Sequence, residues 1–302
     1  MSQQAKTHPL GDAPHTKAKF TIDPRFIAPM LITCVLLAAQ LTAGIFENYL
    51  NILIAIGAGI VTEIACGLLV DKKVPHLASA YVSGISVGII LQTATGIHWP
   101  YAVCAMLSIM SKYVIRVKGR HPWNPSNFGI SAVLLLAPQI VTALSIQWGN
   151  NLYAMGVIWL LGSMIISRLK RFHICLTYVL SFALFAAIRA AILHDGFLTE
   201  FAPITGPPYQ LFVFFMITDP KSTVHPRWAQ ILVAFLVAAA ECALRFVHNV
   251  TLFGHPAYFD VHAAYYALFL VGPLAVLTEI WLTERKKAAG STGPKATAPA
   301  AS

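Results

Sequence analysis

Apolar runs of about 20 residues recur along this chain, separated by short stretches where polar residues, glycine and proline collect. A run of that length matches the ~20 residues a helix needs to cross a hydrocarbon layer ~30 Å thick. The pattern predicts about ten membrane-spanning helices, at 26–46, 49–70, 79–95, 99–116, 128–148, 152–168, 173–193, 203–218, 227–247 and 263–282.

Two of these spans are interrupted. The eighth holds Pro203, Pro207 and Pro208, leaving only Tyr209 to Thr218 as uninterrupted helix. The third holds Gly84 and Gly88 and runs out in Gln92-Thr93-Ala94-Thr95-Gly96. Similar flanks follow each, Ile97-His98-Trp99-Pro100 and Val224-His225-Pro226-Arg227-Trp228. Interrupted spans at matching positions of two halves predict an internal repeat around a central site, and five spans per half would invert the second copy. The expected fold is an all-α polytopic membrane protein with an inverted five-plus-five repeat and broken helices. Its parts would be a cytoplasmic tail at 1–25, one membrane repeat at 26–148, a second at 149–284, and a disordered cytoplasmic tail at 285–302.

Composition agrees with the pattern. Charged residues make up 11% of the chain and hydrophobic ones 57%, against about 25% and about 45–50% in soluble domains. The net charge of +9 would suggest nucleic acid if the cations were spread over a face. They lie instead in short loops beside apolar runs. With the N-terminus cytoplasmic, 19 of the 21 Lys and Arg fall on the inner side, leaving Arg189 and Arg245. The outer loops carry Glu47, Asp195, Glu200 and Asp260. This is the asymmetry of a cell (inner) membrane protein with both termini in the cytoplasm. The polar first 24 residues, with Lys6, Lys17 and Lys19, predict no cleavable signal peptide. None of the five cysteines forms a CxxC pair, so they read as small buried hydrophobes, and no metal site is expected.

Candidate chemistry concentrates in two short elements. His121-Pro122-Trp123-Asn124-Pro125-Ser126-Asn127-Phe128-Gly129 and Thr218-Asp219-Pro220-Lys221-Ser222-Thr223 each place a proline directly after Asn or Asp, between apolar stretches. No helix runs through such a pair without losing a backbone bond, and in lipid the freed groups need cover from protein or a polar cavity. Simple helix capping by Asn and Asp is one account of both. The run SKYVIRVKGRHPWNPSNFG from Ser111, with FFMITDPKST from Phe214, resembles the NqrB/RnfD family of membrane subunits. These belong to the sodium-translocating NADH:quinone oxidoreductase and the Rnf complex. The first motif is most similar to stand-alone members named after enediyne biosynthesis clusters, the UnbU type.

The resemblance covers most of the ten-span region. It implies a ten-span inverted repeat that holds flavin on an electron path across the membrane, with other electron-transport subunits or quinone as partners. It also implies a cofactor site at Asn124, Pro125, Ser126 and Asn127 and at Thr218, Asp219 and Pro220. Asn carboxamides suit the donor and acceptor edge of an isoalloxazine ring, and Trp123, Phe128, Phe214 and Phe215 could cover its faces. Members with covalent flavin mononucleotide carry it on a Thr of a Ser-Gly-Ala-Thr-like sequence between the fifth and sixth spans. Here that connection is Trp148-Gly149-Asn150-Asn151, so covalent attachment is not expected. Non-covalent flavin (riboflavin or FMN), quinone or no cofactor stay open.

Glu63, Glu241 and Arg245 fall inside spans, where charge is costly enough to be a functional candidate. Glu241 and Arg245 are placed to pair along one helix face, whereas Glu63 has no sequence partner and could relay a proton or cation, or meet Arg189. Arg189 and Glu279, nearer span ends, read as snorkelling side chains. Most of the 11 histidines sit near span ends, which suits interfacial hydrogen bonding better than haem ligation. With no dinucleotide fingerprint, NADH oxidation by this chain itself is not expected. Three functions stand: an electron-transport subunit, a carrier or channel for a small solute or ion, and a membrane component of a secondary-metabolite pathway.

Overall fold

The computed structural model describes residues 29–30, 32–34, 37, 49–94, 96–143, 152–252 and 254–291. The 1–25 tail, most of the first expected span, Thr95, the 148–151 connection and residues 292–302 lie outside these. The described chain is mostly helical, and four of its helices are long and apolar enough to cross a membrane.

The helices are α1 (Tyr49–Cys66, continued as a π-helical turn Gly67–Asp71), α2 (Ala78–Ile90), α3 (Trp99–Val114), α4 (Pro125–Leu136) and α5 (Leu152–Leu169). There follow α6 (Phe172–Leu193), a short helix Phe197–Phe201 with the turn Ala202–Thr205, and α7 (Pro207–Leu211), which widens into a π turn, Phe212–Met216. The last two are α8 (Arg227–Arg245) and α9 (Ala263–Ser291). The four long apolar ones are α1 with its π turn, α6, α8 and α9. Leu53, Val61, Leu69, Leu180, Leu184, Ile192, Leu236 and Leu274 are exposed on them. An apolar exterior of this kind is what a lipid solvent selects and water penalises.

Glycines set several of the helix contacts, Gly84 and Gly129 most tightly. A Cβ on Gly84 would lie 2.6 Å from the Ile56 Cα, so the glycine lets α2 approach the backbone of α1. One on Gly129 would lie 2.4 Å from the Cys104 carbonyl oxygen and 2.1 Å from Ser108 Oγ, which joins α4 to α3 in the same way. Small residues at such crossings exchange side-chain volume for backbone contact, the usual basis of helix association in lipid. In the other half α8 packs on both α6 and α9. The π turn after α7 drives Phe212 into the centre, with its ring 5.5 Å from Tyr178 and 5.8 Å from Tyr265.

Two expected spans stop early. Helix α2 ends at Ile90 and α4 at Leu136, where the sequences 79–95 and 128–148 predicted continuous helix. Pro138 prevents α4 from continuing. The chain then forms strand β2 (Val141–Ala143), which pairs antiparallel with β1 (Leu91–Thr93), Leu91 opposite Ala143. The ladder satisfies backbone groups that the two ended helices cannot. A second small ladder joins β3 (Thr251–Leu252) to β4 (His255–Pro256). At the other end, α9 stays helical to Ser291, past the expected start of the tail at 285.

Candidate functional site

The two broken elements, far apart in sequence, meet. Asn124 caps α4: its Oδ1 accepts from the Asn127 backbone N–H at 3.0 Å, and Pro125 holds the first helical position, where no N–H is needed. Its Nδ2 faces the other element, 3.4 Å from both the Met216 carbonyl and Asp219 Oδ2. Met216 ends the π turn, and its carbonyl also accepts from the Asp219 backbone N–H at 3.4 Å. Asp219 in turn closes its own loop, accepting from Ser222 Oγ at 2.7 Å and the Lys221 N–H at 3.2 Å. The buried Thr218 and Thr223 hydroxyls donate to the Phe214 and Asp219 carbonyls. Pro125 and Ser126 are buried, whereas Pro220 is exposed.

Helix α9 completes the joint. Pro273 has no N–H to give the carbonyl four residues back, at Phe269. The Trp123 indole N–H takes that place, donating to Phe269 O at 2.9 Å. Asn127 Nδ2 and Ser131 Oγ both donate to the Tyr265 carbonyl. The rings of Trp123, Phe128 and Phe269 pack on one another, with centroids 5.7 to 5.9 Å apart. A clasp of side chains lies beyond. Arg120 donates to Glu279 at 2.7 Å and to the Thr223 carbonyl at 2.9 Å, while the His225 N–H donates to Glu279 at 2.8 Å. Burial pushes the His121 imidazole below its usual range, with the Asp219 carboxylate acting against it.

These positions decide how well a flavin fits. Between the breaks lies a cavity of about 20 Å³, lined by Asn124, Ile217, Thr223, Val224 and Pro273 among others. That is room for roughly one water, far below the ~300 Å³ of a cofactor site. Asn124 spends both ends of its carboxamide within the joint, and Asn127 its N–H₂. Of these carboxamide groups only Asn127 Oδ1, in a side chain 1% exposed, has no partner among the described residues. As packed, the paired breaks do not fit an isoalloxazine ring.

The intramembrane charges form two further clusters. Glu63 accepts from Lys112 Nζ and from Tyr113 OH at 2.8 Å; Lys112 also reaches Ser79 at 3.2 Å. Sequence reasoning had no partner for Glu63 because Lys112 lies 49 positions on, at the end of a span where it read as a loop cation. Glu241 is fully buried and accepts from Arg245 at 2.9 Å, as the four-residue spacing implies. Tyr178 and Tyr209, which the sequence did not single out, donate to it as well. Arg189 does not snorkel and does not meet Glu63. It is 1% exposed, bound to Glu200 at 2.6 Å and laid over the Phe182 ring. Glu279 sits in the clasp. Cys104, Cys175 and Cys242 are buried, whereas Cys34 is exposed.

No family model matches the chain, and no curated protein does.

Proposed function

We propose that the chain is the membrane subunit of an electron-transport system of the kind its two motifs resemble, built as about ten spans in two inverted sets of five. The observation that carries the reading is the contact of Asn124 with Asp219 and Met216, which makes one centre of the two motifs. Helix packing supports the repeat. In the first half α1 packs on α3 and α3 on α4; in the second, α6 packs on α8 and α8 on α9. Each half also buries one carboxylate among a cation and tyrosine hydroxyls, Glu63 in one and Glu241 in the other. With both termini cytoplasmic in a cell membrane, the paired breaks face inward and the Glu241 cluster lies toward the outside.

The redox group in this reading is a non-covalent flavin seated elsewhere than between the packed breaks, or quinone drawn from the bilayer. The test is the visible spectrum of the purified protein, native and denatured. A flavin spectrum whose chromophore denaturation releases supports the reading. A colourless protein that also neither takes up supplied flavin nor binds a quinone analogue overturns it. The buried Glu63–Lys112 pair then favours a second reading, a carrier for a small ion or solute.

A further inference from the structure

Helix α9 is fastened differently on its two sides of Gly272-Pro273. Before the proline, residues 262–268 are all buried, and this arm is bound by Asn127 and Ser131 of α4 and by Trp123 just before it. After it, Val276 is buried, Leu274 is exposed, and every residue from 281 to 288 is exposed. Proline removes one backbone bond and loosens the turn around it, which makes the site a natural pivot. Among the described polar contacts, the outer arm is tied to the rest chiefly through Glu279, shared between Arg120 at 2.7 Å and His225, whose backbone N–H lies at 2.8 Å and Nδ1 at 3.1 Å. Lys118 and Glu284 approach only to 3.8 Å, and both are exposed, so their contribution is slight.

The cavity between the two breaks sits beneath this arm, with Gly272, Pro273 and Ala275 forming one wall and Ser222, Thr223 and Val224 another. Arg120 and His225 come from the two loops that carry the breaks. Glu279 therefore holds together the loop of Asn124, the loop of Asp219 and the arm that covers both.

We propose that the arm of α9 beyond Pro273 is a hinged strap, latched by Glu279 to Arg120 and His225, that opens and closes the cavity between the two breaks. The strap gives the centre two states. Latched, the cavity holds about 20 Å³, and Val224, Ser222 and Thr223 are buried against it. Unlatched, Asn124, Ser222 and Thr223 become reachable from the side on which the breaks lie. The strap deepens the reading of the paired breaks as the functional centre, but its test needs no chromophore, so a colourless protein would leave it standing.

A single reporter cysteine checks it. Val224→Cys, at a buried cavity-lining position, is placed in a background with the five native cysteines replaced by alanine. The solubilised protein is then exposed to a water-soluble maleimide. Labelling should be slow with the latch intact. Glu279→Gln should speed it roughly tenfold, the factor that about 1.4 kcal/mol of lost closure gives. His225→Ala, which removes the imidazole contact to Glu279 at 3.1 Å and keeps the backbone N–H bond, should act in the same direction to a smaller extent, and it covers the case in which Glu279→Gln does not fold. Glu284→Gln should leave the rate unchanged. Fast labelling with the latch intact, no change in any latch variant that folds, or an equal rise from Glu284→Gln would each overturn the strap.

Discussion

The indole N–H of Trp123 donates to the carbonyl of Phe269 at 2.9 Å, and Pro273 is the reason that carbonyl is free. A proline in an apolar helix leaves a carbonyl that lipid cannot satisfy, so another element must supply a donor. Here the donor comes from the residue just before the Asn124-Pro125 break. The break on one element and the proline on another compensate each other.

Trp123→Phe should therefore destabilise the protein by about 1–3 kcal/mol, the cost of a buried acceptor left without a donor. Adding Pro273→Ala restores an N–H to the helix and should return most of that loss. Thermal unfolding of the two single variants and the double variant measures the coupling. Additive losses would mean that the indole acts only through ring packing on Phe128 and Phe269.

Stability should also fall in mild acid through His262. This side chain precedes α9, is buried with its Nδ1 unpartnered among the described residues, and lies 3.4 Å from Thr142 on β2. Burial pushes it down to about 4, against the opposing pull of Asp260. Between that value and the ordinary 6.5 the unfolded chain holds the extra proton, so stability is complete above pH 6.5 and lost as pH falls toward 4. The loss amounts to about 3 kcal/mol. Midpoints measured across that range should fall less steeply for His262→Leu than for the parent.

What the sequence made legible was whatever a single helix expresses. The long apolar runs became α1, α6, α8 and α9, and the Glu241–Arg245 pair followed from a four-residue spacing. Contacts between distant elements were not legible. Each broken motif stood out by its proline, yet nothing in the chain said that Asn124 would meet Asp219. Glu63 and Lys112 find each other across two helices. The run Ile140–Ala143 is as apolar as a helix end, and only pairing with Leu91–Thr93 makes it a strand. Arg189 read as an interfacial side chain because its partner Glu200 sits in what looked like an outer loop.

A reporter enzyme fused after Glu284 should be active on the cytoplasmic side, and one inserted at Gly149 on the outer side. The reason is the placement of 19 of 21 cations beside one set of span ends. Opposite activities at both positions would turn the molecule over and move the paired breaks to the outer face.

Arg245→Leu should cost about 3–5 kcal/mol, because Glu241 is fully buried and loses its only cationic partner among the described contacts. Replacing Glu241 as well removes the stranded charge, so the double Leu variant should be more stable than Arg245→Leu alone. Recovery will be incomplete. Tyr178 and Tyr209 both give their hydroxyls to Glu241, and Leu leaves them without that acceptor. Tyr178→Phe and Tyr209→Phe added to the double variant should return a further part. A double variant less stable than Arg245→Leu alone would mean that the carboxylate is held by the hydroxyls without its cation. The pair would then not be a structural unit, and a role for Glu241 in moving protons or ions would gain weight.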